Sequence, residues 1–158
     1  IKPANVLLDE DFHPKIGGFV VALHAGEKLP RMVGTLLFMP PETFEEDQPC
    51  TLKRDIYSFS ITLYELLTLE RPWSNLHSVI EIMSKVRSGE RPPIEKVTPS
   101  AYRSIIERCW AQIPDERPDS IELLKELIGI IRELADEEAI DIELVEDYID
   151  EVTQDLDM

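Results

Sequence analysis

After Arg132 the chain has no Lys or Arg at all, and from Glu133 to Met158 it carries twelve Asp or Glu. The formal net charge of -16 is therefore mostly a property of the tail, and only -4 belongs to the rest. A negative field repels phosphate backbones and anionic bilayers, which argues against nucleic acid and acidic membrane surfaces and leaves basic proteins and solvent as partners. Cysteine is scarce as well. Cys50 and Cys109 show no metal-ligand spacing and are too few for a disulfide scaffold, which predicts thiols in a reducing, cytoplasmic compartment. There is no long uncharged apolar run and no charged-then-apolar leader, so neither a membrane span nor a signal peptide is expected. What remains, in 158 residues, is enough for one compact domain with a core, plus a tail.

The opening residues read as two short strands, Val6-Leu7-Leu8 and Pro14-Lys15-Ile16, around the polar turn Asp9-Glu10-Asp11. Residues 18 to 50 have little helical period and contain four prolines. They are expected to form a long ordered loop, and such loops usually carry function. Helices follow. Ile56, Phe59, Leu63, Leu66 and Leu67 recur at helical spacing, and Ile61 and Tyr64 widen the stripe until almost no polar face is left, as in a buried central helix. Val79, Ile82, Met83 and Val86 mark a one-sided surface helix that Gly89 closes. Thr98-Pro99 is expected as N-cap and first helical residue before Tyr102, Ile105, Ile106, Cys109 and Trp110. Asp119 with Glu122 resembles a capping box ahead of a fourth stripe from Ile121 to Leu134. In the tail, Ile142, Val145, Ile149, Val152 and Leu156 alternate steps of three and four. Two readings stay open there: a short amphipathic helix, or a solvated acidic chain whose like charges oppose helix formation.

Ile1-Lys2-Pro3-Ala4-Asn5 followed by Val6-Leu7-Leu8-Asp9 resembles the second half of the catalytic loop of protein kinases, whose His-Arg-Asp would stand just before Ile1. In order and at fitting distances follow Lys15-Ile16-Gly17-Gly18-Phe19, the run from Gly34 to Glu42, Asp55-Ile56-Tyr57-Ser58-Phe59-Ser60, Arg108-Cys109-Trp110 and Arg117-Pro118. The details look most like serine/threonine kinases of the tyrosine-kinase-like group. The implied fold class is protein-kinase-like α+β, with residues 1–134 as a mainly helical C-terminal lobe opened by a small β-hairpin and residues 135–158 as an acidic tail. A start inside a motif predicts an excerpt of a longer chain that supplies the N-terminal lobe.

The resemblance implies roles residue by residue. Lys2 matches the lysine that touches the transferring phosphate, and Asn5 a neutral oxygen ligand of magnesium, so ATP and Mg2+ are the implied cofactors. Leu7 falls at the floor of the adenine pocket. Glu42 matches a glutamate paired with a buried arginine, for which Arg117 is the candidate. Asp55 matches an aspartate that accepts hydrogen bonds from the catalytic-loop backbone, and Thr35 belongs to the substrate-binding loop. Read without the family, Lys2 is a solvated charge, Asn5 a turn residue, Leu7 core, and Asp55 a helix N-terminal carboxylate favoured by the dipole.

Two departures from the family pattern decide the functional expectation. Gly18-Phe19-Val20 stands where kinases carry Asp-Phe-Gly, so the carboxylate that holds the nucleotide's metal is missing, and a β-branched residue replaces the hinge glycine. Between Gly18 and Glu42 the only hydroxyl is Thr35, which leaves the usual phosphorylation switch without an acceptor. The expected function is a pseudokinase module that binds proteins. The competing expectation is an active serine/threonine kinase whose upstream half completes the cleft.

Overall fold

The computed structural model describes residues 1–27, 34–46, 48–136 and 142–153. Ile1–Pro118 forms one compact unit, and the chain from Asp119 onward a second.

The first unit opens with strands β1 (Val6–Leu8) and β2 (Pro14–Ile16), paired antiparallel with Val6 opposite Ile16 and Leu8 opposite Pro14. Asp9 builds the turn between them. Its Oδ1 accepts the backbone N–H of His13 at 2.8 Å and of Asp11 at 3.1 Å, and the His13 bond is the main reason its carboxyl sits below the ordinary range. The described parts of residues 18 to 50 hold no α-helix. They contain single 3-10 turns at Phe19–Val21, Leu36–Phe38 and Pro41–Phe44, consistent with the prolines there, which start turns but cannot donate a helical hydrogen bond.

Helix α1 (Lys53–Thr68) is the centre of this unit, but its buried face differs from the expected stripe. Ile56, Tyr57, Ile61 and Tyr64 are buried together with Ser58, Ser60 and Thr62, whereas Leu66 is 60% exposed. The small hydroxyls can go inside because each has an acceptor: Ser58 Oγ donates to the Phe38 carbonyl, Ser60 Oγ to that of Tyr57, and Thr62 Oγ1 to that of Ser58. Helix α2 (Val79–Arg87) buries Ile82 and Val86 and ends as its glycine predicts. Gly89 takes φ +89, the Gly89 N–H bonds the Val86 carbonyl, and the Glu90 N–H bonds that of Lys85, which is the paired-bond glycine cap of a helix.

Helix α3 (Tyr102–Cys109) corrects one expectation. Thr98-Pro99 is not its start, because Pro99 and Ser100 form a turn whose carbonyls accept the Tyr102 and Arg103 N–H groups. The helix therefore begins three residues later and has no side-chain cap. Ile105, Ile106 and Cys109 are buried, α3 packs on α1, and the Tyr64 and Trp110 rings meet at 6.1 Å.

In the second unit α4 (Ser120–Asp136) is capped as expected, with Asp119 Oδ1 accepting the Glu122 N–H at 2.8 Å. Helix α5 (Ile142–Thr153) is the helical alternative for the tail; Leu156, the last member of the expected stripe, lies outside the described residues. The last cation of the chain, Arg132, makes a two-pronged bond to Glu146, both at 2.6 Å, and so ties α5 to α4. The Glu146 carboxyl is held below its ordinary range by that bond. Among the described residues no helix is long and apolar enough to cross a membrane.

Gly89→Ala should cost about 1 to 2 kcal/mol, because a Cβ at positive φ is strained while nothing crowds it sterically. Urea denaturation should show a lower midpoint at unchanged slope.

Candidate functional site

Residues 2 to 19 and the segment around Thr35 supply most of the sequence-predicted site. Lys2 is extended and leads into a 3-10 turn at Pro3–Asn5. Its Nζ donates to Thr35 Oγ1 at 2.8 Å, which joins two predicted site residues 33 positions apart. Asn5 is held by its own backbone, whose carbonyl accepts the Gly17 N–H at 2.8 Å. That bond sets Asn5 beside Gly18. Gly18 adopts φ +73, and a Cβ placed on it would lie 2.6 Å from Asn5 Cγ and Nδ2 and 2.7 Å from Asn5 Oδ1. The Asn5 carboxamide therefore occupies the volume in which an aspartate side chain at residue 18 would begin. Leu7 lies on an open face: Leu7, Leu8, Phe19 and Val20 are all more than half exposed.

The second cluster is buried. Arg117 Nη1 and Nη2 donate to Glu42 Oε1 and Oε2 at 2.8 and 2.9 Å, and the Arg117 side chain is fully inaccessible. Two more guanidinium protons go to the carbonyls of Ala111 and Lys53. Lys53 Nζ returns a bond to the Arg117 carbonyl at 2.6 Å. Tyr57 lies under both Arg117 and Arg91, 5.1 and 5.3 Å from ring centre to guanidinium carbon. Burial pushes the Tyr57 phenol up to about 12, against the opposing pull of the two arginines. Sequence reading missed Lys53, Tyr57 and Arg91. The available signal was Tyr57 inside the central helix, since a phenol in a core needs polar company.

Asp55 stands apart from both clusters. Its carboxylate is 67% exposed and lies 3.9 Å from the Ile1 backbone nitrogen. No side-chain hydrogen bond reaches it among the described residues.

Residues 1–127 match the protein tyrosine and serine/threonine kinase family. The chain belongs to that kinase family. It is 34% identical to bovine (Bos taurus) receptor-interacting serine/threonine-protein kinase 2 over 149 residues, covering 84% of this chain and 28% of that protein. It is 36% identical to Arabidopsis thaliana serine/threonine-protein kinase STY17, covering 87% of this chain and 24% of that one. With mouse (Mus musculus) receptor-interacting serine/threonine-protein kinase 4 the identity is 35%, over 90% of this chain and 20% of the relative. The chain thus spans between a fifth and about a quarter of these relatives. The hairpin, α1 to α3 and the start of α4 lie within the matched residues and fit the C-terminal lobe of a kinase domain.

Kinases use ATP with magnesium, and the residues present here do not fit the metal. A hard divalent cation seeks carboxylate oxygens, whereas Gly18 has no side chain and Asn5 offers one neutral oxygen already packed against Gly18.

Removing one partner of the buried pair, as in Glu42→Gln, should cost about 3 to 5 kcal/mol, and the double change Glu42→Leu with Arg117→Met less than the sum of the singles; a double-mutant cycle by chemical denaturation checks both. Tyr57 gives a pH prediction. Its phenol holds its proton to about 12 in the folded state against an ordinary tyrosine value of 10.0, so between those values the unfolded chain loses a proton that the folded chain keeps. Stability should fall as pH rises through that window. In Tyr57→Phe the same window should be flatter.

Proposed function

We propose that this part of a kinase domain acts by binding other proteins and does not transfer phosphate. The observation that carries the reading is the contact between Asn5 and Gly18: the metal's carboxylate is absent, and the space for it is filled by a neutral carboxamide. Without a metal bridging the phosphates, the charge that develops in transfer has no electrostatic sink, and several kcal/mol of transition-state stabilisation go with it. Under this reading Lys2, Asn5 and Leu7 are remnants of the phosphate, metal and adenine contacts. Thr35 is the substrate-loop remnant and ties Lys2 down, and Glu42, Arg117 and Asp55 serve the fold. Residues 1–134 are the lobe, of the tyrosine-kinase-like serine/threonine type, and residues 135–158 its acidic tail, in a cytoplasmic protein. The exposed Leu7, Leu8 and Phe19 form the face on which an N-terminal kinase lobe would sit in the full-length protein.

One observation favours the ordinary kinase instead: Lys2 and Thr35 are drawn together at 2.8 Å, the arrangement a substrate-binding loop would need.

Thermal shift of the full-length protein with ATP, with and without magnesium, separates the two, since a bound ligand raises the melting temperature by mass action. No magnesium-dependent shift is expected. A clear one would mean that the metal site survives without a carboxylate at residue 18 and would return the chain to the active kinases.

A further inference from the structure

Within the first unit, a cavity of about 330 Å³ opens between the end of α1, the connection that follows it and the segment after α2. In a chain of net charge -16 its lining is positive. Arg71, Lys85, Arg91 and Lys96 line it against only two carboxylates, Glu70 and Glu90.

Those charges are not equivalent. Lys85 pairs with Glu90 at 2.7 Å and Lys96 with Glu70 at 2.6 Å. Arg91 is spent on the carbonyls of Trp110, Val86 and Glu90 and on Gln112. Arg71 is exposed and has no partner among the described residues. The remaining lining residue of note is Trp73. It holds φ +60, a strained value for a bulky side chain, and is 9% exposed. Its indole N–H has no acceptor. A buried donor without an acceptor is costly, and indole can only donate.

We infer that this cavity is a binding site for a carboxylate side chain of an acidic, leucine-containing peptide presented by a partner protein. The surplus of positive charge suits an anionic acceptor. Arg71 supplies a fork matched to a carboxylate, and Trp73 a wall of the cavity. Tyr64, Leu76 and Pro93 in the same lining suit an apolar neighbour of the acidic residue. A surplus of two positive charges matches one or two carboxylates, whereas a polyphosphate would need cations that Glu70 and Glu90 already occupy. The volume is at the small end of ligand sites, enough for a side chain or two. None of this depends on whether the kinase domain transfers phosphate.

The test is fluorescence anisotropy of the full-length protein with a labelled peptide of alternating glutamate and leucine, its lysine–leucine counterpart and its phosphoserine–leucine counterpart. The glutamate peptide should bind saturably, about 10-fold more weakly to Arg71→Glu, and with loss of affinity in high salt. The Arg71 side chain is exposed and makes no hydrogen bond or ion pair among the described residues, so Arg71→Glu should melt at the parent temperature and decides the matter by itself. Absence of saturable binding, equal binding to Arg71→Glu, equal binding of the lysine peptide, or preference for the phosphoserine peptide would each overturn the assignment.

Discussion

The ion pair between Glu42 and Arg117 is the constraint around which the first unit is organised. Its two residues lie 75 positions apart and share two hydrogen bonds, with the Arg117 side chain fully inaccessible and that of Glu42 nearly so. A buried charge pair is not by itself a large source of stability, because desolvation offsets the attraction. Its effect here is on specificity. Arg117 uses two further protons on the carbonyls of Ala111 and Lys53, so one side chain determines where the segment before α1, the start of α1 and the segment after α3 must be. Tyr57 completes the arrangement by presenting its ring to both Arg117 and Arg91. A wrong register of any of these segments would strand a charge.

The upper part of the same unit is lightly held by comparison. The hairpin depends on a three-residue ladder and the Asp9 turn, and the side chains around it are open to solvent. There the glycine at residue 18 has a local consequence as well as a chemical one. Its missing side chain lets the Asn5 carboxamide move against the backbone, so the loss of a metal ligand is accompanied by loss of the space in which one would sit.

Charge is segregated along the chain. The acidic surplus is concentrated after Arg132, where one arginine–glutamate fork carries the connection between α4 and α5. The first unit instead gathers cations around the cavity near Trp73.

Much was legible in the order of residues. The hairpin, the glycine end of α2, the Asp119 cap and the kinase motifs each depend on neighbours a few positions apart, and local rules therefore determine them. The absent carboxylate at residue 18 was equally plain, since it is a matter of residue identity. The start of α3 and the buried face of α1 were misjudged because polar groups found acceptors that hydrophobic spacing does not register: the Pro99 and Ser100 carbonyls satisfy the first amides of α3 in a turn before it, and Ser60 and Thr62 bond carbonyls of their own helix while Ser58 reaches the distant Phe38 carbonyl, so these hydroxyls go inside in place of Leu66. Only tertiary structure could show that Asn5 fills the space beside Gly18, that Lys2 reaches Thr35, or that Arg71 and Trp73 line one cavity. The reason is physical. Sequence determines which groups are available and what each element prefers locally, but a contact between distant residues exists only once packing has brought their atoms within a few ångströms.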